Sequence, residues 1–191
     1  PQSPLMPQMR LLQGDVLSEL GQFASAILAF DEIIKNWPGS YLVDQAWGRK
    51  GDCQFTMGTE GVDAATQTAR FSEALMSYTT VYESTTASVE LKLQALYKVG
   101  RCLEKMGRTD DALETYLNVV YEHLSARRAG EILDPFWFTR AAFSAAGMME
   151  AQERWRDAVR IYRRVEEAGV PAAEEARKRI QDIRLEQLIN F

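Results

Sequence analysis

An internal repeat constrains the fold of this chain more than any other feature. Four times, a small residue is followed by an alanine and then, four positions after the alanine, by an aromatic residue. The four sets are Gly14, Ala26, Phe30; Gly51, Ala74, Tyr78; Gly100, Ala112, Tyr116; and Ala146, Ala158, Tyr162. The step from the small residue to the alanine is 12 residues in three sets and 23 in the second, which therefore carries an insertion of 11. Because residues i and i+4 lie on one face of a helix, the pattern predicts repeated helical hairpins.

Repeated hairpins cannot bury their own apolar faces, so neighbouring units must stack into a continuous core. Small residues are needed where two helix backbones approach closely, and an aromatic residue one turn later fills the gap between helices. The alternative is an ordinary helical bundle whose core happens to use alanine and aromatic residues at helical spacing. Four recurrences of the same three-point spacing favour the repeat.

The spacing resembles that of the tetratricopeptide repeat family, whose pattern is an aromatic, a small residue, a turn glycine, an alanine, an aromatic and a closing proline. The first unit matches best, with Gly21 and Phe23 at the turn and Pro38 at the end. The third unit has Thr109 where the family has a large ring, and the fourth has Glu153 in place of the turn glycine. The second unit is matched by Trp47, Gly51, Gly58, Phe71, Ala74, Tyr78 and Val81.

The resemblance implies an all-α, right-handed α-solenoid of about four hairpins plus a C-terminal capping helix, as a single array over residues 1–191. We expect units at about 7–40, 41–87, 88–134 and 135–170, with the capping helix at 171–189. The predicted helices are 8–20, 23–36, 41–57, 70–83, 89–106, 110–126, 135–152, 155–168 and 172–189. The insertion at 59–69 could form an extra turn of helix or a loop, and we expect the loop.

In this family the first helix of each hairpin lines the concave side of the array, where ligands lie. The resemblance therefore implies a groove that is acidic at its beginning and basic towards its end, with rings as anchors for a peptide or helix of a partner protein. The alternative is that these charges are solvated on a surface without a ligand. The groove candidates are Asp15, Gln45, Arg49, Asp52, Phe55, Gln94, Tyr97, Lys98, Arg101, Lys105, Arg140 and Phe143.

Catalytic and cofactor chemistry finds little support in the sequence. His123 is the one histidine, and no serine or cysteine stands at a motif spacing that marks a nucleophile. Metal-ligand spacings and phosphate-binding glycine loops are missing. Cys53 and Cys102 occupy equivalent places in successive units, about one helix-packing distance apart, which exceeds the reach of a disulfide. We therefore expect no catalytic residues, no metal, no cofactor, and two free buried thiols.

The net charge and the hydropathy of the chain argue against two classes of partner, nucleic acids and a membrane that the chain would span. The net charge is −5, which argues against a general nucleic-acid binder, and no apolar run reaches the length of a membrane span. The stretch Asn36–Ser40, followed by Ala46–Trp47 and Gly51–Cys53, resembles bacterial envelope proteins of the Tol–Pal-associated and outer-membrane assembly lipoprotein type. This resemblance implies the periplasm or cell envelope, with the cytoplasm as the alternative.

The predicted function is a non-enzymatic scaffold that binds a protein segment in its groove. One alternative is that the array is the non-catalytic part of a longer enzyme. Another is a structural module that self-associates through an exposed terminal face.

Overall fold

The computed structural model describes residues 5–187, and all regular secondary structure in that range is helical. The nine helices found there are α1 Met6–Glu19, α2 Phe23–Asn36, α3 Val43–Thr59, α4 Ala64–Glu83, α5 Val89–Lys105, α6 Thr109–Arg128, α7 Phe136–Ala151, α8 Trp155–Glu167 and α9 Ala173–Glu186. Their order is the predicted one, and their bounds lie close to the predicted bounds except at the start of α4. Residues 188 and 189 of the expected capping helix lie outside the described range.

The chain divides into two compact units, with the boundary between Ala112 and Leu113, inside α6. In the first unit, α1 packs against α2, α2 against α3, α3 against α4 and α4 against α5. In the second unit, α7 packs against α8 and α8 against α9. The fold class is therefore the expected one, an α-solenoid of helical hairpins followed by a C-terminal helix. The single array over 1–191 with its four unit boundaries stays a prediction.

The repeat residues explain why the helices of a hairpin pack so closely. Phe30 and Tyr78 are buried, and each ring lies directly against the repeat glycine of the preceding helix, Gly14 and Gly51 respectively. A Cβ atom at Gly51 would stand 2.6 Å from the ring of Tyr78, closer than any real contact. Glycine is required at this position because the aromatic ring occupies the space of a side chain.

The turns within the hairpins use the left-handed backbone region. Gly21 and Gly107 have φ of 71° and 73°, and Glu153, at the matching place in the fourth hairpin, has φ of 57°. Glycine adopts this conformation without steric cost, whereas glutamate does not. Glu153, which replaces the turn glycine of the other hairpins, is therefore a site of backbone strain.

The second hairpin departs from the prediction in two respects. The expected loop at 59–69 is confined to residues 60–63, because α4 begins at Ala64 and the alternative of additional helix holds for the rest of the segment. Asp63 caps the helix by accepting the backbone N–H of Thr66 at 2.8 Å, and the run that follows contains no helix breaker. Gly58 is not a turn residue either, since it is buried inside α3, where a Cβ would stand 2.7 Å from the ring of Phe71.

Candidate functional site

Four charged residues on three successive odd-numbered helices form a connected series, which we call the charge ladder. It consists of Asp15 on α1, Arg49 and Asp52 on α3, and Lys98 on α5. The Nε atom of Arg49 lies 3.2 Å from Oδ1 of Asp15, and the Nζ atom of Lys98 lies 2.6 Å from Oδ1 of Asp52. Arg49 also approaches Asp52 at 4.0 Å. Four of the groove charges predicted from the sequence are thus paired with one another within the first unit.

The ladder follows the repeat register. Each acid stands one residue after a repeat glycine, Gly14 or Gly51, and each base stands two residues before the next one, Gly51 or Gly100. The sequence pattern predicted these charges in the groove but not their pairing. The pairing could have been predicted from one signal in the sequence. Each repeat places an acid at one fixed position, and the next repeat places a base at another fixed position.

Tyr78 of α4 contacts two residues of the charge ladder, Asp52 and Lys98. Its Oη donates to Oδ1 of Asp52 at 2.7 Å, and the ammonium of Lys98 lies 5.4 Å from the centre of its ring. Burial, and then the neighbouring negative charge of Asp52, raise the pKa of the Tyr78 phenol far above its usual value. The phenol therefore remains a hydrogen-bond donor at physiological pH, and it orients the carboxylate of Asp52.

A cavity of about 270 Å³ opens beside the ladder. Side chains of α3 and α5 form its walls, and α4 forms its floor. The lining residues are Gln45, Gly48, Arg49, Asp52, Tyr78, Val81, Leu91, Gln94, Ala95 and Lys98, five of which are predicted groove residues. A second cavity of about 220 Å³ is lined by Asp15, Ser18, Glu19, Phe30, Arg49 and Asp52.

Two glutamines face this first cavity from equivalent positions. Gln45 and Gln94 each stand six residues before a repeat glycine, on α3 and α5 respectively. Neither side-chain amide has a hydrogen-bond partner within residues 5–187. A primary amide carries two donors and one acceptor oxygen, so each can bind a peptide main chain in either sense.

The aromatic residues predicted as anchors in the groove are more buried than expected. Tyr97 is only 5% exposed, so its role as a surface anchor is wrong; its ring is part of the core. Phe55 is half-buried, with its ring 5.3 Å from that of Phe71 and the guanidinium of Arg101 5.7 Å above it. Lys105 is exposed at the last residue of α5.

The last two candidates, Arg140 and Phe143, belong to α7 in the second unit. Arg140 is exposed, with its guanidinium 5.4 Å from the ring of Phe136. Phe143 is half-buried, and its ring meets that of Tyr162 edge-on at 5.2 Å. That these two residues share one groove with those of the first unit stays a prediction.

The second unit contains a hydrogen-bonded set of residues that the sequence pattern did not predict. The Oη of Tyr162 on α8 donates to Oε1 of Glu150 on α7 at 2.7 Å, and the same oxygen accepts from Nε of Arg179 on α9 at 3.2 Å. The hydrogen bond to Glu150 raises the pKa of the Arg179 guanidinium further above its already high value. We call such a set of phenol, carboxylate and cation a clamp; Tyr78, Asp52 and Lys98 form the first and Tyr162, Glu150 and Arg179 the second.

Neither cysteine is an activated nucleophile. Cys53 and Cys102 are free and buried, as predicted. Burial raises the pKa of the Cys53 thiol, and it raises that of Cys102 to about 12, so both stay protonated at neutral pH. His123 is fully buried, with neither ring nitrogen hydrogen-bonded. No group of three metal-ligating side chains occurs between residues 5 and 187.

Two models of the tetratricopeptide repeat family match the sequence. One matches residues 94–123, and the other matches residues 2–41 and 11–70. The chain is a tetratricopeptide repeat protein. Repeats of this family are general protein–protein interaction modules and are typically non-catalytic. No curated protein matches the chain, and no helix within the described range is long and apolar enough to cross a bilayer.

Proposed function

We propose that this tetratricopeptide repeat protein is a non-enzymatic scaffold that holds a segment of a partner protein in the cavity between α3 and α5. The observation that carries the proposal is the cavity itself. Gln45, Arg49 and Lys98 converge on it from two helices, above an apolar floor. Concave sites with a few convergent polar groups over apolar surface are typical of ligand sites.

The chemistry of the walls defines the segment that fits. Val81, Leu91 and Ala95 give the cavity an apolar side, and its volume admits one side chain of aliphatic or aromatic size. Gln45 and Gln94 can bind the main chain on either side of that residue through their unpaired amides. We therefore infer an extended segment with one apolar anchor, because a helical segment bonds its own main-chain groups and leaves none for the glutamines.

The ladder sets the electrostatic preference. Arg49 exposes 56% of its side chain, although it contacts two carboxylates. An exposed guanidinium of this kind can add a third, bidentate contact to a carboxylate without being desolvated first. An acidic residue beside the apolar anchor is therefore favoured, and a basic one is disfavoured by Arg49 and Lys98.

The experiment selects random peptides of about 12 residues, displayed on phage, against the full chain. Binding of the selected peptides is then measured by fluorescence anisotropy for the unmodified protein and for a Gln45→Ala, Gln94→Ala double variant. We expect the double variant to bind at least about 10-fold more weakly, because the main-chain contacts are lost.

The matched control is Gln181→Ala, which removes an exposed glutamine from α9 and leaves the cavity unchanged. It should bind the peptides as the unmodified protein does. Equal binding by the double variant, or selection of no peptide at all, contradicts the proposed site.

The location of the protein is proposed separately. The likeness of Asn36–Ser40 and Gly51–Cys53 to bacterial envelope proteins favours the periplasm or cell envelope. Fractionation of the source cells by osmotic shock, followed by immunoblotting, tests this location. Recovery of the protein with a cytoplasmic marker enzyme rules it out.

A further inference from the structure

The first helix exposes an apolar stripe that the repeat pattern does not require. Its members are large hydrophobic residues on α1 or at its two ends, and each leaves more than half of its surface exposed. They are Leu5 at 61%, Met9 at 61%, Leu12 at 65%, Val16 at 51% and Leu20 at 65%. We call this set the α1 stripe.

The spacing of the α1 stripe places all five residues on one helix face. The steps along the chain are 4, 3, 4 and 4 residues, which is the periodicity of a helix that packs along a second helix. Leu5 and Leu20 flank the helix with nearly helical backbone angles, so they extend the same face. The five stripe residues are all apolar, and the exposed Glu19, three residues after Val16, borders the same face.

From this geometry we propose that the α1 stripe binds the same stripe of a second copy of this chain, with the two α1 helices antiparallel about a two-fold axis. The stripe is nearly palindromic about a point between Leu12 and Gln13. Antiparallel pairing about that point sets Leu5 against Leu20 of the other copy and Met9 against Val16, while the two Leu12 side chains meet beside the axis. A self-complementary patch is what a two-fold interface requires.

The exposed area fits a weak, reversible dimer. If each stripe residue exposes on the order of 100 Å², two copies together bury roughly 1,000 Å², which is at the lower limit for a specific interface. An exposed apolar patch of this size on one copy is comparable to the largest found on typical monomers, and such patches are often functional.

Head-to-tail stacking is a poorer fit than the two-fold pairing. It would set the α1 stripe against the exposed surface of α9, which offers one large apolar side chain, Leu185. The other exposed residues of α9 are Glu174, Glu175, Arg177, Lys178, Gln181, Arg184 and Glu186. Their charges would be desolvated by leucine side chains without gaining partners, which is unfavourable.

The test compares two leucines of equal exposure. Leu12 lies at the centre of the stripe with 65% exposure, and Leu28 lies on α2, outside it, with 66%. The molar mass of the full chain and of its Leu12→Glu and Leu28→Glu variants is measured by sedimentation equilibrium from about 1 µM to about 500 µM. Circular dichroism checks that both variants stay folded.

We expect the unmodified chain and Leu28→Glu to approach twice the monomer mass with rising concentration. Leu12→Glu should remain monomeric, with a dissociation constant at least about 100-fold weaker, because two carboxylates would be buried beside the axis. A monomeric unmodified chain at all concentrations overturns the proposal, and so does a dimer that persists in Leu12→Glu.

A second measurement tests the orientation of the helices. In the antiparallel pairing, Leu12→Cys stands beside its own copy across the axis, whereas Met9→Cys stands about seven residues, or roughly 10 Å, from its own copy. Mild oxidation should therefore cross-link the Leu12→Cys variant and leave the Met9→Cys variant uncoupled. The native Cys53 and Cys102 are buried and do not compete. Efficient cross-linking of Met9→Cys indicates parallel helices and contradicts the proposal.

Discussion

The two clamps each join a phenol, a carboxylate and a cation, but they differ in how exposed the carboxylate is. In the first unit, Asp52 keeps 32% of its side chain exposed and lines an open cavity. In the second unit, Glu150 keeps only 11%, and its cationic partner comes from α9, the last helix. The shorter Asp52 follows its repeat glycine directly, whereas the longer Glu150 stands four residues after Ala146.

This difference assigns separate roles to the two clamps. The first leaves Arg49 and the glutamines accessible beside a fixed carboxylate, which suits a binding surface. The second uses a more buried carboxylate to hold α9 against the preceding hairpin, which suits a structural role. Breaking a more buried pair costs more free energy, because the remaining charge is left without solvent.

Glu150→Ala is expected to have the largest effect on stability. It removes the acceptor of the Tyr162 hydroxyl and one partner of Arg179, so we expect a loss of about 3 kcal/mol in the free energy of unfolding. Urea unfolding measures the loss, and hydrogen exchange should show it first in α9. Asp52→Ala should cost about half as much, because Asp52 is more open to water.

Glu150→Gln is the matched variant for the second clamp, because it keeps an acceptor for Tyr162 and removes only the charge. Its effect should lie between those of Glu150→Ala and the unmodified protein. If Glu150→Ala costs no more than Asp52→Ala, the distinction between an open and a closed clamp is wrong.

Gly51→Ala tests the packing beneath the first clamp. The new methyl group would stand 2.6 Å from the ring of Tyr78, so we expect a loss of about 2 kcal/mol in the free energy of unfolding. Gly48→Ala, three residues earlier on α3, meets no atom within 4 Å. It should instead stabilise the helix by about 0.5–1 kcal/mol. Equal effects in urea unfolding would show that the ring can move away.

The repeat made the helical fold predictable, because small residues, alanines and rings recur at fixed helical spacing. It also identified five of the residues around the cavity. The pairing of Asp15 with Arg49 was not predictable in the same way, since it depends on how two helices are placed side by side. Tyr97 was misassigned because the spacing that indicates a face of a helix does not say how deeply a ring is buried.

The two units also differ in how their buried polar side chains are paired, and for His123 this difference makes stability depend on pH. The buried polar side chains of the first unit include Gln54 and Ser77, which hydrogen-bond to each other at 2.7 Å. His123 of the second unit is buried against the ring of Phe138 at 4.7 Å, with neither nitrogen paired. Burial, and then the charge of Arg127, lower the pKa of His123 below its usual value.

The unfolded chain therefore takes up a proton at His123 more readily than the folded chain. Stability is full above about pH 6.5 and falls as the pH drops below that value, by up to about 1.4 kcal/mol per pH unit. Urea unfolding at pH 7, 6 and 5 measures the fall. His123 is the only histidine, so His123→Leu should give a flat profile over this range. A flat profile in the unmodified protein contradicts the prediction.

Glu153→Gly is the last and smallest of the expected effects, and like the control Gly48→Ala it is expected to stabilise the native chain. The fourth hairpin turns through Glu153 with φ of 57°, where the first and third turn through Gly21 and Gly107. Left-handed backbone costs a residue with a Cβ atom about 1 kcal/mol, which exceeds the entropy that glycine loses on folding at such a site. Thermal unfolding should therefore show a higher midpoint for Glu153→Gly.

The reverse change, Gly21→Ala, introduces the same strain into the first hairpin and should lower the midpoint by a similar amount. Gln152→Gly is the control, because that residue has φ of −94° and gains nothing from glycine. The N–H of Arg154 bonds to the carbonyl of Met149 at 2.8 Å and closes the turn whatever side chain residue 153 carries. The contradicting outcome is a melting midpoint that stays the same in Glu153→Gly but falls in Gly21→Ala. It would mean that the fourth turn relaxes to accommodate its glutamate. The two units would then differ in the rigidity of their turns as well as in the exposure of their clamp carboxylates.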